Sequence, residues 1–309
     1  MTKAIVTGSE GFIGGHLTDR LLQLGIKVLG IDDMSNGVES TLESHLDSPN
    51  FISEQIDILD PAIKSIFKSF KPQYVFHLAA KAGVAPSVAM PAFSDLNNTN
   101  GTVNLLEASK NSNVKRFIFS SSSSVYGGTK KLPTEETATL SPESPYALQK
   151  LIGEKYCSLF YKLYNLDTVS LRYFNVFGPR QRADSAYAAV IAAFCNAEKN
   201  GIRPIIYGNG EQFRDFCYVQ NVVDANIKSA LEAGPLRGQR FNIGCGGKTT
   251  VNELCSTICS KEPIYEKERP GDVFSSQADI TWAKRMIGYH GEITFEEGIQ
   301  EALKWYLGS

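Results

Sequence analysis

The sequence has no apolar run long enough to span a bilayer, and it has no excess of positive charge. Its 31 Lys and Arg against 33 Asp and Glu give a net charge of −2. The apolar runs are too short for a membrane-spanning helix. The nearly balanced charge gives no basic surface of the kind that binds nucleic acid. The first residues lead directly into a predicted strand rather than into a signal peptide. We therefore expect a cytoplasmic protein with neither a membrane nor nucleic acid among its partners.

Metal-ligating residues are few and scattered. The six cysteines form no Cys-x-x-Cys pair, and the four histidines do not cluster. Cys255 and Cys259 are spaced i, i+4 on a predicted helix, but no histidine lies near them. Reduced, buried thiols are the simpler interpretation. We expect no metal site.

What the chain does have is a glycine loop in its first strand–helix–strand unit. A strand over residues 3–7 is followed by Gly8, Gly11 and Gly14, then by a helix and by a strand that ends at Asp32. Gly8 allows a tight turn, Gly11 lets the backbone approach a pyrophosphate, and Gly14 lets the helix pack close to the strand. A carboxylate at Asp32 suits a ribose 2′-hydroxyl and repels a 2′-phosphate. The pattern predicts an NAD site.

Strands and helices alternate as far as about residue 172, and the rhythm then becomes irregular. Alternation predicts a parallel, doubly wound sheet. The fold class we expect is α/β: a Rossmann-type doubly wound sheet with a smaller C-terminal α/β substrate-binding domain. We assign residues 1–175 to the NAD-binding domain and 176–309 mainly to the second, with the chain crossing back more than once.

Helices are predicted over 61–70 (with Asp60 as N-cap), 95–111, 146–164, 186–200, 221–233, 251–259, 279–287 and 294–307. Short strands are predicted at 205–207 and 216–219 in the second half.

A serine run and a Tyr-x-x-x-Lys pair carry the candidate chemistry. Ser122 follows a predicted strand, and Tyr146 and Lys150 share one face of the next helix because they are spaced i, i+4. Across the top of a sheet these three side chains could act on an alcohol. The Ser122 hydroxyl would hold the oxygen, the Tyr146 phenol would take its proton, and the Lys150 ammonium would lower the pKa of the phenol.

With these residues in place, the chain resembles the extended short-chain dehydrogenase/reductase family, and within it the NAD-dependent nucleotide-sugar 4-epimerases. The resemblance covers nearly the whole chain. Its landmarks are Gly8–Gly14, Asp32, Asp57-Ile58, His77–Ala80, Asn98, Ser122, Tyr146, Lys150, Leu171–Asn175, Arg214–Phe216 and Arg269–Asp272.

The resemblance implies NAD as cofactor and assigns it a set of contacts. These are Gly8, Gly11, Phe12, Ile13, Gly14, Asp32, Asp33, Asn36, Asp57, Ile58, Leu78, Ala79, Ala80, Asn98, Tyr146, Lys150 and Tyr173. It makes Ser122, Tyr146 and Lys150 the catalytic residues.

The resemblance also implies a UDP-sugar substrate and its contacts. These are Gly83, Ser122, Ser123, Ser124, Asn175, Val190, Tyr207, Arg214, Arg269, Asp272 and Ser276. Tyr207 would pack against uracil, and the forked donors of Arg214 and Arg269 suit a diphosphate. By position alone, the two arginines would instead be interpreted as surface ion pairs.

Three positions indicate which reaction of the family to expect. Ser123 and Ser124 stand where the family's 4,6-dehydratases carry Asp-Glu, so water elimination is disfavoured. Ser276 matches a position where a bulky Tyr confines the pocket to UDP-glucose and UDP-galactose, so a serine leaves room for a 2-acetamido group. The alternative is that Ser276 is an ordinary loop serine.

The resemblance therefore implies an isomerase that interconverts UDP-GlcNAc and UDP-GalNAc, with some activity on UDP-Glc and UDP-Gal. Alternatives are a 4-epimerase restricted to non-acetylated sugars, a 4,6-dehydratase, and a non-catalytic NAD-binding regulator. Lys150 together with the positive nicotinamide would depress the pKa of Tyr146 towards neutrality. Helices 95–111 and 146–164 would pair across a homodimer interface, although burial within one subunit would produce the same apolar pattern.

Overall fold

A computed structural model describes residues 1–129, 131–182, 190–268 and 275–308. Within these residues the strands are β1 (Lys3–Thr7), β2 (Lys27–Asp32), β3 (Phe51–Gln55), β4 (Tyr74–His77), β5 (Arg116–Ser122), β6 (Thr168–Tyr173), β7 (Val176–Phe177), β8 (Ile205–Tyr207), β9 (Phe213–Arg214), β10 (Cys217–Tyr218), β11 (Gln239–Ile243), β12 (Thr249–Thr250) and β13 (Ile264–Glu266).

The helices of the same residues are α1 (Phe12–Gln23), α2 (Glu39–Leu46), α3 (Ile63–Phe70), α4 (Val84–Ala89), α5 (Pro91–Asp95), α6 (Gly101–Asn111), α7 (Pro145–Tyr164), α8 (Val190–Lys199), α9 (Val219–Ile227), α10 (Val251–Ile258), α11 (Thr281–Ile287) and α12 (Phe295–Leu307). Two π-helical turns, Leu96–Asn100 and Lys228–Glu232, and a 3₁₀ turn, Ser123–Tyr126, extend neighbouring elements.

A seven-stranded sheet organises the described part of the chain, in the order β11-β6-β5-β4-β1-β2-β3. All six pairings in it are parallel. Two of its inner strands, β4 and β6, are buried along their whole length, because helices cover both faces. This confirms the predicted Rossmann-type doubly wound sheet. Parallel strands bring their carboxyl ends to one edge, and the loops that follow β1, β2, β4 and β5 meet there.

The second half of the chain contributes to both the central sheet and three two-stranded sheets. β11, which the sequence analysis did not predict, pairs with β6 from Gln239↔Val169 to Ile243↔Tyr173. The chain therefore returns to the central sheet after residue 176. The division into domains at residue 175 stays a prediction.

Two predicted helices differ from the structure at their starts, the first for a local reason and the second because of contacts that are distant in sequence. α3 begins at Ile63 rather than at Pro61, and Ala62 occupies the N-cap position. The Asp60 carboxylate instead accepts a hydrogen bond from the Ala62 N–H at 2.8 Å, which stabilises a turn before the helix. The predicted helix 95–111 is divided into the π-helical turn of residues 96–100 and α6.

Other predicted helices keep their type with shifted ends. α12 begins one residue after Thr294, whose hydroxyl accepts from the Glu297 N–H while the Glu297 carboxylate accepts from the Thr294 N–H. This reciprocal capping satisfies two of the N–H groups that a helix start leaves unpaired. The predicted helix 221–233 corresponds to α9, which begins at Val219, and the π-helical turn after it. Residues 186–189 of the predicted helix 186–200 lie outside the described residues.

The six cysteines are free thiols. In the described ranges no helix combines the length and apolar character needed to cross a bilayer.

Candidate active site

The glycine loop joins β1 to α1 at the carboxyl edge of the sheet. Gly8 has a φ of +73°, and a Cβ there would lie 2.8 Å from the backbone N of Ala79. A Cβ on Gly14 would lie 1.8 Å from the carbonyl O of Gly8. Both positions therefore require glycine, because the chain after β4 lies against Gly8 and the start of α1 lies against the Gly8 carbonyl. The first N–H groups of α1 lack intrahelical partners and suit a phosphate at this point.

Asp32 stands at the end of β2 beside this loop. Its carboxylate accepts hydrogen bonds from the Glu10 N–H at 3.0 Å and the Met34 N–H at 2.9 Å. Burial raises the pKa of Asp32, although these two bonds act in the opposite direction. The neighbouring Asp33 pairs with the ammonium of Lys81 at 2.8 Å. Two of the loops at the sheet edge are therefore joined by an ion pair.

A charged cluster supports the glycine loop from behind. The His45 ring contacts Asp19 Oδ1 at 3.0 Å and Glu10 Oε2 at 3.4 Å, and the His45 side chain is 1% exposed. Burial by itself lowers the pKa of His45, but hydrogen bonds to Asp19 and Glu10 outweigh it and raise the pKa to about 9. The Arg180 guanidinium completes the cluster by forming an ion pair with the Asp19 carboxylate at 2.8 Å.

This cluster predicts a pH dependence of stability. Because the pKa of His45 rises from 6.5 to about 9 on folding, its contribution is complete below pH 6.5 and is lost as the pH rises through about 9. We expect the urea midpoint of the wild-type protein to fall over that window and that of His45→Gln to fall less. The exposed His290 provides the control, since His290→Gln should leave the pH profile unchanged. Parallel profiles for the wild type and His45→Gln would contradict the assignment.

The helix α7 carries Tyr146 and Lys150, and both of its ends are fixed by sequence. The Ser144 hydroxyl accepts from the Ala147 N–H at 3.2 Å, Pro145 is the first helical residue, and Asn165 ends the helix with a φ of +56°. The predicted helix is confirmed. The N–H of Tyr146 also donates to the Ser87 hydroxyl at 3.1 Å, which ties the first turn to α4.

Lys150 is buried at the sheet edge, and Tyr146, one turn before it on α7, is partly buried. The Lys150 Nζ is 5.7 Å from the centroid of the Tyr146 ring and donates to the Ser120 carbonyl at 2.7 Å. Burial raises the pKa of Tyr146 to about 12, while a hydrogen bond with the Ser122 side chain lowers it. Burial lowers the pKa of Lys150 to about 8. In the protein chain by itself, desolvation of the phenolate dominates the pKa of Tyr146. The depression of this pKa by Lys150 together with the nicotinamide stays a prediction.

The serines of the run from Ser120 to Ser124 make different contacts. Ser120 offers its carbonyl to Lys150, and the Ser121 hydroxyl donates to the Glu154 carboxylate at 2.6 Å. Ser122 Oγ accepts from the Ser124 N–H at 3.2 Å at the start of the 3₁₀ turn. The Ser124 hydroxyl is buried and finds no hydrogen-bond partner among the described residues.

A cavity of about 450 Å³ opens at the carboxyl edge of the sheet. Sixteen of the seventeen residues predicted to contact NAD line it, all except Asn98. The lining residues not predicted from sequence are Ile31, Ser35, Gly37, Val38, Ile56, Lys81, Ala82, Asn97, Ser120, Ser121, Arg180 and Arg182. For most of them the available signal was position at or just after the carboxyl end of a strand.

Asn98 and Gly83 lie outside the lining of this cavity. The Asn98 side chain is hydrogen-bonded to both backbone groups of Lys81 and to Gln149. Gly83 has a φ of +108° and immediately precedes α4. The backbone conformation by itself accounts for a glycine at this position.

A second cavity of about 280 Å³ lies among the elements of the second half. Four predicted substrate residues line it: Asn175, Val190, Tyr207 and Arg214. Ser276 adjoins it, since the Asn175 amide donates to Ser276 Oγ at 3.0 Å and to the Asp215 carbonyl at 3.1 Å. The predicted Arg269 and Asp272 lie outside the described residues.

The fold, the glycine loop and the larger cavity define a dinucleotide-binding protein of the Rossmann class with a Ser-Tyr-Lys cluster beside its cofactor site. The chain belongs to the NAD dependent epimerase/dehydratase family, which matches residues 4–244.

Three relatives illustrate the similarity. The structure of UDP-glucose 4-epimerase from Thermotoga maritima with UDP-glucose has a TM-score of 0.93 at 39% identity, covering 99% of this chain and 98% of that one. UDP-N-acetylglucosamine 4-epimerase from Methanobrevibacter ruminantium, in complex with UDP-N-acetylmuramic acid, has a TM-score of 0.91 at 40% identity with the same coverage. UDP-glucuronate 4-epimerase from Thermodesulfobacterium geofontis is 34% identical over 97% of this chain and 95% of its own length.

NAD is the cofactor of this family, and the larger cavity fits it. The glycines at positions 8 and 14 leave no side chain between the loop and the start of α1. The Asp32 carboxylate lines the same cavity, where it suits an unphosphorylated ribose.

Proposed function

We propose that this NAD-dependent UDP-sugar 4-epimerase, an isomerase, interconverts UDP-GlcNAc and UDP-GalNAc and retains some activity on UDP-Glc and UDP-Gal. The observation that carries the substrate choice is the small side chain at Ser276, within hydrogen-bond distance of Asn175. A serine beside the substrate cavity leaves space that a bulky aromatic residue would fill. A larger pocket rejects a smaller sugar only weakly, so activity on non-acetylated substrates is expected.

The catalytic roles are assigned to Ser122, Tyr146 and Lys150. Tyr146 takes the proton of the sugar 4-hydroxyl and later returns it, and Ser122 holds that oxygen through the same hydroxyl that bonds the phenol. Lys150, held by the Ser120 carbonyl, presents a positive charge towards the Tyr146 ring. NAD bound in the larger cavity would supply the hydride acceptor for C4 of the sugar.

The pKa values of Tyr146 and Lys150 show how far the pKa of the Tyr146 phenol must fall for it to act as a base. A phenol with a pKa of about 12 is a poor base at neutral pH, so positive charge near it must favour the phenolate. Lys150, with a pKa of about 8, is mostly protonated at pH 7 and can provide part of that charge. A buried hydroxyl lacking a partner in the described part of the chain, that of Ser124, supports a ligand contact beside Ser122.

The larger cavity suits NAD and the smaller one suits the nucleotide of the substrate. In the first, Gly8, Gly11 and Gly14 would face the diphosphate and Asp32 the adenosine ribose. In the second, Tyr207 would pack against uracil, and Asn175 and Arg214 would hold the ribose and diphosphate, together with Arg269 and Asp272. Anchoring the nucleotide lets the keto sugar turn about its diphosphate linkage without leaving the protein.

The alternatives remain distinguishable. A 4,6-dehydratase is disfavoured because Ser123 and Ser124 supply no carboxylic acid beside Ser122. A UDP-glucuronate 4-epimerase must bind the carboxylate of its sugar, and the assay with UDP-GlcA described below tests for that activity. A non-catalytic NAD-binding regulator would have no need of the Ser122, Tyr146 and Lys150 cluster.

A homodimer is part of the proposal. Apolar side chains on α4, α5 and α7 remain exposed in the single chain, among them Val88 (61%), Phe93 (54%) and Leu163 (61%). Exposed apolar clusters of this kind are typical of subunit interfaces. Sedimentation equilibrium tests this, and a monomer at micromolar concentration would contradict it. The cytoplasmic location stays a prediction from sequence.

The function is tested by incubating purified protein separately with UDP-GlcNAc, UDP-Glc and UDP-GlcA and identifying the products by proton NMR. We expect UDP-GalNAc from the first, at a higher kcat/KM than for epimerisation of UDP-Glc. Product from UDP-Glc alone would overturn the substrate choice. A product lacking the 6-hydroxyl would indicate a dehydratase, and no product from any sugar would overturn the enzymatic function.

Replacing Ser276 by Tyr tests the residue on which the choice rests. We expect kcat/KM for UDP-GlcNAc to fall about 10- to 200-fold while activity on UDP-Glc changes little, because the added ring occupies the space of the acetamido group. Ser276→Ala is the control, since it removes the hydroxyl bonded to Asn175 but keeps the space. An equal fall of kcat/KM for both substrates in Ser276→Tyr would show that residue 276 does not determine the choice between them.

A further inference from the structure

The buried side-chain amide of Gln149 has no direct role in the proposed reaction. The residue is 3% exposed and lies on α7, three positions after Tyr146 and immediately before Lys150. It is not among the residues that line the larger cavity. A buried amide costs free energy unless its polar atoms are hydrogen-bonded, so its partners indicate what it does.

Both ends of this amide are bonded to the segment that precedes α6. Gln149 Nε2 donates to Ser94 Oγ at 2.9 Å, and Gln149 Oε1 accepts from Asn98 Nδ2 at 2.8 Å. Ser94 belongs to α5, and Asn98 belongs to the π-helical turn. Single π-helical turns within helices are frequent at functional sites. Here the turn presents Asn98 to α7, and its neighbour Asn97 lines the cavity.

Asn98 extends this connection to the cofactor cavity. Its Oδ1 accepts from the backbone N–H of Lys81 at 2.8 Å, and its Nδ2 also donates to the Lys81 carbonyl at 3.1 Å. An amide nitrogen carries two hydrogens, so Asn98 can serve Lys81 and Gln149 at once. Lys81 lines the larger cavity and is fixed at its other end by Asp33.

These bonds join the helix of Tyr146 to the wall of the cofactor cavity. We propose that Gln149 is a positioning residue: acting through Asn98 and Lys81, it sets where the Tyr146 phenol stands relative to the bound cofactor. The inference rests on the proposed 4-epimerase function. An apolar side chain of similar size would fill the same volume, but it would not fix the orientation of either neighbour. Small misplacements of reacting groups have large effects on rate.

The test compares Gln149→Leu with Lys155→Gln, an exposed position on the same helix. For each purified protein we would measure kcat and KM with the wild type's preferred UDP-sugar, the pH profile of kcat, bound NAD and the melting temperature. We expect kcat of Gln149→Leu to fall about 10- to 100-fold with KM changed less than about twofold, while Lys155→Gln behaves as wild type. A purely structural role would lower the melting temperature and leave kcat of the folded protein unchanged.

The path through Asn98 is tested by a double variant. If Gln149 acts through Asn98, Gln149→Leu combined with Asn98→Ala should be no slower than the slower single variant. Multiplicative losses would overturn that path. If Gln149→Leu does not fold, Ser94→Ala decides, because it removes only one bond of the amide. A fall in its kcat of about threefold or more would support the inference, and an unchanged kcat would overturn it.

The two hypotheses fail in different ways. A wild-type protein without activity on any UDP-hexose would overturn the proposed function, and this inference with it. An active wild type combined with a Gln149→Leu variant of unchanged kcat and pH profile would overturn only the positioning role.

Discussion

Replacing Tyr146 by Phe lowers kcat about 10²- to 10⁴-fold, the range expected when a general acid–base group is removed. The substitution removes only the phenol hydroxyl, which is hydrogen-bonded to the Ser122 side chain. The ring remains to fill the buried space at the start of α7, so the cofactor site should stay intact. We therefore expect the variant to retain NAD and to bind the UDP-sugar with nearly unchanged affinity.

Steady-state kinetics and the absorbance of bound NAD measure the two expectations separately. Tyr161→Phe, further along α7 and only partly buried, loses the same hydroxyl without involving the site and should keep wild-type kcat. Substantial epimerase activity in Tyr146→Phe would refute the assignment of Tyr146 as the base. Loss of NAD together with activity would instead assign Tyr146 a mainly cofactor-binding role.

Replacing Arg172 by Met destabilises the protein by about 3–5 kcal/mol, the usual result of removing one partner of a buried ion pair. Arg172 is 0% exposed and forms two bonds with the Glu154 carboxylate, at 2.8 and 2.7 Å. It also donates to the Tyr126 hydroxyl at 2.7 Å. Without the guanidinium, the Glu154 carboxylate would lie buried among groups that cannot neutralise it.

Urea unfolding measures this loss as a shift of the midpoint with the slope unchanged. The double variant Arg172→Met with Glu154→Leu should regain much of the stability, because an apolar pair leaves no buried charge behind. Lys304→Met breaks an exposed pair with Glu301 and should change stability by less than about 1 kcal/mol. A single variant as stable as wild type, or a double variant less stable than Arg172→Met, would contradict the argument.

The elements that the sequence predicted best are those whose local signals agree with their packing. The glycine loop could be predicted because close approach of the backbone permits no other residue at Gly8 and Gly14. α7 could be predicted because Ser144, Pro145 and Asn165 fix both of its ends locally. Such signals act within a few residues, so they are readable before any tertiary contact is known.

The elements that were missed or misplaced depend on distant partners. β11 is a strand because it pairs with β6 from Val169 to Tyr173. The local sequence pattern does not predict this pairing. The interruption before α6 is equally non-local, because the π-helical turn carries Asn98 to partners at Lys81 and Gln149. The helical pattern of residues 95–111 gave no sign of it.

The serine run shows the same division at the level of side chains. Sequence reasoning selected Ser122, but it could not tell that Ser120 would bond Lys150 through its carbonyl or that Ser121 would bond Glu154. Position along a strand predicts which residues reach the sheet edge. Which atom meets which partner depends on the geometry of the neighbouring helix.

By itself the sequence determined the alternation of strands and helices as far as about residue 172, the glycine loop with Asp32, and the spacing of Ser122, Tyr146 and Lys150. Each of these follows from backbone sterics or from a fixed helical repeat, which act locally. Only the tertiary structure decided the burial of Arg172 and its pairing with Glu154. It also decided the direction of the Tyr146 pKa and the bonding of Gln149. These properties depend on solvent exclusion and on contacts between residues far apart in the chain, and no local pattern encodes them.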